Sequence, residues 1–192
     1  MQKTGLRLSF ILLTLCFLCG CVNAAITGAQ TIYNRHNIQA NLNDQFISMK
    51  AQQAIYLRNA QFKDTNVSVA TFHGVVLLAG QAPKPSQKIE IEQLVKKIDG
   101  IKELHNQITT SPPSSAIIQA SDTWITAKIK AKLIAMNDID PNLIKVVTEN
   151  GTVYLMGILP PEQADIAVDL ARTTEGVQNV VKVFQYLRIS KT

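Results

Sequence analysis

Gly151-Thr152-Val153-Tyr154-Leu155-Met156-Gly157 decides the fold, because the chain carries the same stretch twice. Its counterpart is Gly74-Val75-Val76-Leu77-Leu78-Ala79-Gly80, at an offset of 77. Upstream, Asp122-Thr123-Trp124-Ile125-Thr126-Ala127-Lys128 repeats Asp44-Gln45-Phe46-Ile47-Ser48-Met49-Lys50 at an offset of 78. Downstream, Glu175-Gly176-Val177 repeats Asp99-Gly100-Ile101 at 76. A drift of one residue between blocks is what small loop deletions produce, so the chain reads as two copies of one module.

Each copy predicts the same order of elements. An amphipathic helix opens it, from Asp44 to about Arg58 and from Asp122 to about Met136, with the aspartate as N-cap. Two β-rich runs follow, Asn66 to Thr71 with Val75 to Ala79, and Leu143 to Thr148 with Thr152 to Met156. They join around His73-Gly74 and Asn150-Gly151; glycine and asparagine tolerate φ > 0, so the second pair is a strong hairpin signal. A second helix, Lys84 to Ile98 or Pro161 to Thr174, is stopped by Gly100 or Gly176. A last strand closes each copy, Lys102 to Ile108 and Val180 to Ile189. The fold class is α+β: two tandem αββαβ modules, each a small antiparallel or mixed sheet with two helices packed on it. The first module is expected over 44–110 and the second over 121–192, folding independently on either side of a flexible linker, 111–120, that contains Ser111-Pro112-Pro113-Ser114-Ser115.

The N-terminus has a different character. Lys3 and Arg7 make a short basic start, and Leu8 to Leu18 is uncharged and mostly apolar. That run is too short to span a bilayer core of ~30 Å and reads as the h-region of a secretion signal. Leu18-Cys19-Gly20-Cys21 at its end resembles the lipobox of bacterial lipoproteins, which predicts a signal peptide over 1–20 and acylation of Cys21. Val22 follows the cysteine, with no aspartate there; by resemblance to lipoprotein sorting in enteric bacteria, that favours the outer membrane. The alternative uses Val22-Asn23-Ala24 as an ordinary cleavage site and releases a soluble periplasmic protein. Residues 21–43, rich in Asn, Gln, Ala and Thr, are expected to form a tether.

Composition narrows the function classes. Of three cysteines, Cys16 and Cys19 would leave with the signal, so Cys21 has no partner for a disulfide and no companions for a cysteine zinc site. The formal net charge of +5 falls to +3 without Lys3 and Arg7, which suits a loose attraction to anionic surfaces and falls short of a nucleic-acid footprint.

The repeated pattern resembles the BON domain: Asp at the helix, then Gly-x-Val-x-Leu-x-Gly, then Gly-Val-x-x-Val before the last strand. In the second copy the motif residues are Gly151, Val153, Leu155, Gly157, Gly176, Val177 and Val180. The first copy matches at Gly74, Val76, Leu78, Gly80, Gly100 and Ile101, with Leu104 where Val180 stands. A lipobox followed by two such modules is similar to the DolP (YraP) lipoprotein family of the Gram-negative outer membrane, and Tyr33-Asn34-Arg35 falls near an aromatic-polar-arginine step of that family. The resemblance implies binding of anionic phospholipid through the second BON domain, support of envelope integrity, and localisation towards division sites. Soluble periplasmic relatives of the OsmY kind share the modules and imply a stress or holdase protein.

No catalytic pattern stands out. His36, His73 and His105 fall in the tether, a hairpin turn and a strand start, without the i, i+4 spacing of a metal-binding helix, and read as exposed polar residues. Asp165 and Asp169 share a helix face, as solvated like charges usually do. There is no Gly-x-Ser-x-Gly elbow, P-loop or dinucleotide fingerprint. The expectation is a binding protein rather than an enzyme, with no cofactor.

The candidate binding residues lie on the opening helix of the second copy. Ile125, Ile129, Leu133 and Met136 make its core stripe. Outside that stripe, Trp124, Ala127, Lys128, Ala131 and Lys132 combine the only tryptophan with small residues and ammonium groups, a pattern suited to phospholipid headgroups. Lys130 adds to the charge. Packing of Trp124 between the modules is the competing reading. Residues 121–192 hold 8 basic and 8 acidic side chains, so any attraction to an anionic surface must come from segregation.

Overall fold

The computed structural model describes residues 28–186. The signal peptide, the Cys21 acylation site, the Ala24 cleavage site and the end of the last predicted strand lie outside the described residues. The first module runs α1 (Gly28–Tyr56), a one-turn α2 (Asn59–Phe62), β1 (Asn66–Phe72), β2 (Val75–Ala82), α3 (Pro85–Val95) and β3 (Glu103–Thr110). The second runs α4 (Ala116–Ile134), a 3-10 turn (Pro141–Leu143), β4 (Ile144–Glu149), β5 (Thr152–Leu159), α5 (Pro161–Arg172) and β6 (Asn179–Tyr186).

Each module is the expected αββαβ unit on a three-stranded mixed sheet. In the first, β1 pairs antiparallel with β2, and β2 pairs parallel with β3 across the α3 crossover. The second repeats this with β4, β5 and β6. The hairpins are tight because residues with φ > 0 sit at their tips: His73 (51°) with Gly74 (84°), and Asn150 (49°) with Gly151 (71°). The helical core of each module follows the i, i+4 stripe read from sequence. Ile47, Ala51 and Ile55 of α1 pack on Val76 and Leu78, and Ile125, Ile129 and Leu133 of α4 on Val153 and Leu155.

Three boundaries differ from expectation. First, neither Asp44 nor Asp122 is an N-cap. Helix α1 starts at Gly28 and runs through residues read as tether, while α4 starts at Ala116, capped by Ser115, whose Oγ accepts the Ile118 N–H. Both aspartates are buried inside their helices. Second, α3 and α5 end at Val95 and Arg172, so Gly100 and Gly176 shape the turns beyond them rather than the helix ends. Third, only residues 111–115 of the predicted linker are free of regular structure. They are also pinned: the Ser114 N–H donates to Gln81 Oε1 at 3.1 Å, and the Ser111 N–H to the Ala82 carbonyl at 3.2 Å.

The largest difference concerns the sheets. Both faces of β2 are buried along its whole length. Val76 and Leu78 face their own helices, whereas Val75, Leu77 and Ala79 join a cluster with Tyr154, Met156 and Val183 of the second module. The two sheets therefore pack through their helix-free faces, with the helices outside. Polar links edge this interface. Ser68 donates to the Glu149 carboxylate, and Lys145 Nζ to the Thr71 carbonyl at 2.9 Å. The modules share a core and are not independent.

Candidate functional site

Helix α4 is held by its inner face and by both carboxylate oxygens of one side chain. Asp122, 5% exposed, accepts the backbone N–H of Asn150 at 2.7 Å and of Gly151 at 2.8 Å. Asp44 does the same for His73 and Gly74, at 2.6 and 2.8 Å. A carboxylate clamps the hairpin tip of each module to its opening helix, because two adjacent N–H groups at the tip have no strand partner.

With that face fixed, α4 turns the opposite one to solvent. Trp124 is 65% exposed, Ile117 83% and Ile134 69%. Ala120, Ala127 and Ala131 are exposed between them. The order 117, 120, 124, 127, 131, 134 alternates steps of three and four residues, which draws one continuous apolar row along the helix. Trp124 thus lies on the surface, not between the modules. Ile117 was missed in the sequence because the helix was expected to start after it.

The lysines divide. Lys128 Nζ donates to the Glu175 carbonyl at 2.8 Å and sits 3.6 Å from its carboxylate. Lys132 Nζ donates to Thr174 Oγ1 at 2.9 Å. These two tie α4 to the turn after α5 while lining one side of the row. Lys130 lies along the other side and points towards the first module, among the residues of an inter-module groove.

Helix α1 carries a similar row that sequence reasoning did not single out. Leu42, Phe46, Met49 and Tyr56 are all at least half exposed. Leu42, Phe46 and Tyr56 correspond to Ala120, Trp124 and Ile134 through the 78-residue repeat offset. The signal was present in the spacing but hidden by assigning Leu42 to the tether.

The remaining candidates are structural. His73 and His105 are partly buried rather than exposed; His73 holds the hairpin tip, and His105 Nε2 lies 2.9 Å from Glu103 Oε1. Asp165 lies 3.2 Å from Lys182 Nζ on the surface, and Asp169 is exposed. Among the described residues there is no cluster of three or more His, Cys, Asp or Glu able to hold a metal, and no helix long and apolar enough to cross a membrane.

Residues 37–112 and 121–188 each match the BON domain. The chain belongs to the BON-domain family. It is 33% identical to the outer membrane lipoprotein DolP of Haemophilus influenzae, over 94% of this chain and 96% of the relative. It is 39% identical to a 21 kDa hemolysin of Actinobacillus pleuropneumoniae, over 68% of each chain. Osmotically-inducible protein Y of Escherichia coli is 29% identical over 72% of this chain and 70% of its own length. The near full-length match places the chain among dual-BON proteins of the DolP type, located at the outer membrane through a lipid anchor.

Proposed function

We propose that this BON protein is acylated at Cys21, faces the periplasm, and docks on anionic phospholipid through the outer row of α4, so supporting envelope integrity. The observation that carries the reading is the exposed row itself. An indole and two isoleucines face water along a helix whose inner face is already packed. Laying that row at the headgroup level buries apolar area worth ~25 cal/mol per Å². Trp124 supplies the largest single part, since its ring is apolar and its N–H can stay among polar headgroups. Each lysine near an anionic surface adds ~1 kcal/mol. Lys128 and Lys132 can contribute through their remaining N–H donors, because each uses one in the structure. Trp124, Ala127, Lys128, Ala131 and Lys132 are the proposed contact residues.

The lipid anchor makes a weak surface sufficient. A tethered protein meets the membrane at high effective concentration, so a module of modest affinity stays engaged. The role is one of binding, with no reaction to catalyse. The likeness to osmotically-inducible protein Y favours a second reading, a soluble periplasmic protein cut after Ala24. Cys21→Ser separates the two: the lipoprotein reading expects the variant to leave the membrane fraction, and the soluble reading expects no change. Docking itself is tested by co-sedimentation with phosphatidylglycerol vesicles. Trp124→Ala should lose most of the binding and keep its circular dichroism, whereas undiminished binding would move the docking surface elsewhere.

A further inference from the structure

Between the modules lies a groove of about 730 Å³, within the size range of small-molecule sites, which favour such interfaces. Its walls come from α1 and β1 on one side and from α4, the 3-10 turn and β4 on the other. Val69, Leu133 and Ile144 form a buried apolar floor, and the exposed side chains of Met49 and Ile134 stand at its rim. Phe72 adds an aromatic wall, partly buried.

Two ammonium groups serve this groove, Lys130 and Lys145. Neither belongs to any of the ion pairs among the described residues. Lys145 is partly buried and uses one N–H on the Thr71 carbonyl, which leaves two donors. Burial, first, and the neighbouring Lys130 hold its pKa below the usual lysine value, while Asp44 opposes them. Asp44 also lines the groove, and its carboxylate, hydrogen-bonded to the His73 and Gly74 N–H groups, sets one negative charge against the two lysines. Two cations against one carboxylate, over an apolar floor and with no salt bridge to either lysine, leave the site short of one negative charge.

We propose that this inter-module groove binds one anionic amphiphile, a single acyl chain with a carboxylate or phosphate head, the head meeting Lys130 and Lys145 and the chain lying over Leu133, Ile134 and Phe72. The anion offsets the repulsion between the two lysines, and the chain covers the exposed apolar rim of Met49 and Ile134 above the buried floor. This site meets the outer row of α4 only at Ile134, the last residue of that row, and Trp124 does not line it. A protein that docks on a membrane through one face would thereby hold a single detached lipid, a fatty acid or a lysophospholipid, in another.

The full-length chain carrying Cys21→Ser tests the proposal by isothermal titration calorimetry. Laurate supplies the carboxylate head and lauroyl lysophosphatidate the phosphate head, each kept below its micelle concentration. Dodecyl maltoside presents the same chain length with a neutral head, and inorganic phosphate presents the charge alone. One equivalent of laurate, of the lysophosphatidate, or of both should bind, and dodecyl maltoside and phosphate should bind at least about tenfold more weakly, as loss of a charge-assisted contact implies. Lys130→Gln changes an exposed position, leaves the core intact, and should weaken the anionic amphiphile about tenfold; Lys145→Gln should weaken it at least as much. Trp124→Ala should bind the amphiphile as the parent does. Equal affinity for dodecyl maltoside, unchanged affinity in Lys130→Gln, loss of binding in Trp124→Ala, or no binding of either anionic amphiphile would each overturn the proposal. Since the readout needs no vesicles, failure of membrane docking leaves these outcomes unaffected.

Discussion

Asp122 Oδ1 accepts the Gly151 N–H at 2.8 Å, although the two residues stand 29 positions apart and on different elements. Asp44 and Gly74 stand in the same relation in the first copy, also at 2.8 Å. The repeated aspartate and the repeated glycine of the sequence are therefore two halves of one contact. Glycine is needed at the tip for φ > 0, and the carboxylate is needed to satisfy the N–H groups that this turn leaves without partners.

Asp122→Ala should cost about 2–4 kcal/mol, because two charge-assisted hydrogen bonds are lost and two buried-side donors are orphaned. Asp122→Asn should cost less, since its amide oxygen can keep one bond. Urea unfolding followed by circular dichroism gives both values. A cost near zero for Asp122→Ala would mean that water serves the turn equally well.

Gly80 and Gly151 should differ in what they tolerate. A Cβ at Gly80, where φ is +121°, would run into the Asn66 backbone carbonyl, and backbone cannot swing aside. At Gly151, where φ is +71°, the obstruction is the flexible Gln178 side chain. Gly151→Ala should cost about 1–2 kcal/mol, the left-handed penalty, and Gly80→Ala clearly more. Thermal melts of the two variants check the order, and the reverse order would contradict it.

Glu149 gives the module interface a pH dependence. Burial, above all, with Asp122 in support, raises its pKa above 4.5, and the Ser68 hydroxyl opposes this. A carboxyl whose folded pKa is raised adds stability that is complete below its unfolded pKa and is lost as pH rises through the folded value. Glu149→Gln should thus be more stable than the parent at pH 7. The advantage should vanish at pH 4. An advantage that persists unchanged at pH 4 would show that the carboxyl is as solvated as in the unfolded chain.

The shared sheet interface predicts one unfolding transition for both modules. Leu77→Ala, in the first, should cost about 2–4 kcal/mol and shift the melting of the second by the same amount. Hydrogen exchange in β2 and β5 reports the modules separately. Independent transitions would contradict the common core.

Much of this fold was legible because its signals are local and occur twice. Ile125, Ile129 and Leu133 mark a core stripe, Asn150-Gly151 marks a hairpin, and each reappears at the repeat offset. The stacking of the sheets was missed, since the modules were expected to fold independently, although a subtler signal for it was present. Val75 to Ala79 is a continuous apolar run where a half-exposed strand would alternate, which signals burial on both faces. The role of Asp44 and Asp122 was not legible, since an aspartate before an apolar stripe looks the same as cap or clamp. Nor was the groove, because Lys130 and Lys145 meet residues of α1 that no sequence spacing connects to them.

The emission of Trp124 tests the membrane reading most directly, for it is the only tryptophan and is 65% exposed. In buffer the emission should lie near that of a solvated indole. Phosphatidylglycerol or cardiolipin vesicles should shift it to the blue, salt should reverse much of the shift, and neutral vesicles should leave it nearly unchanged. An emission that no lipid moves would mean that the outer row of α4 does not meet the membrane.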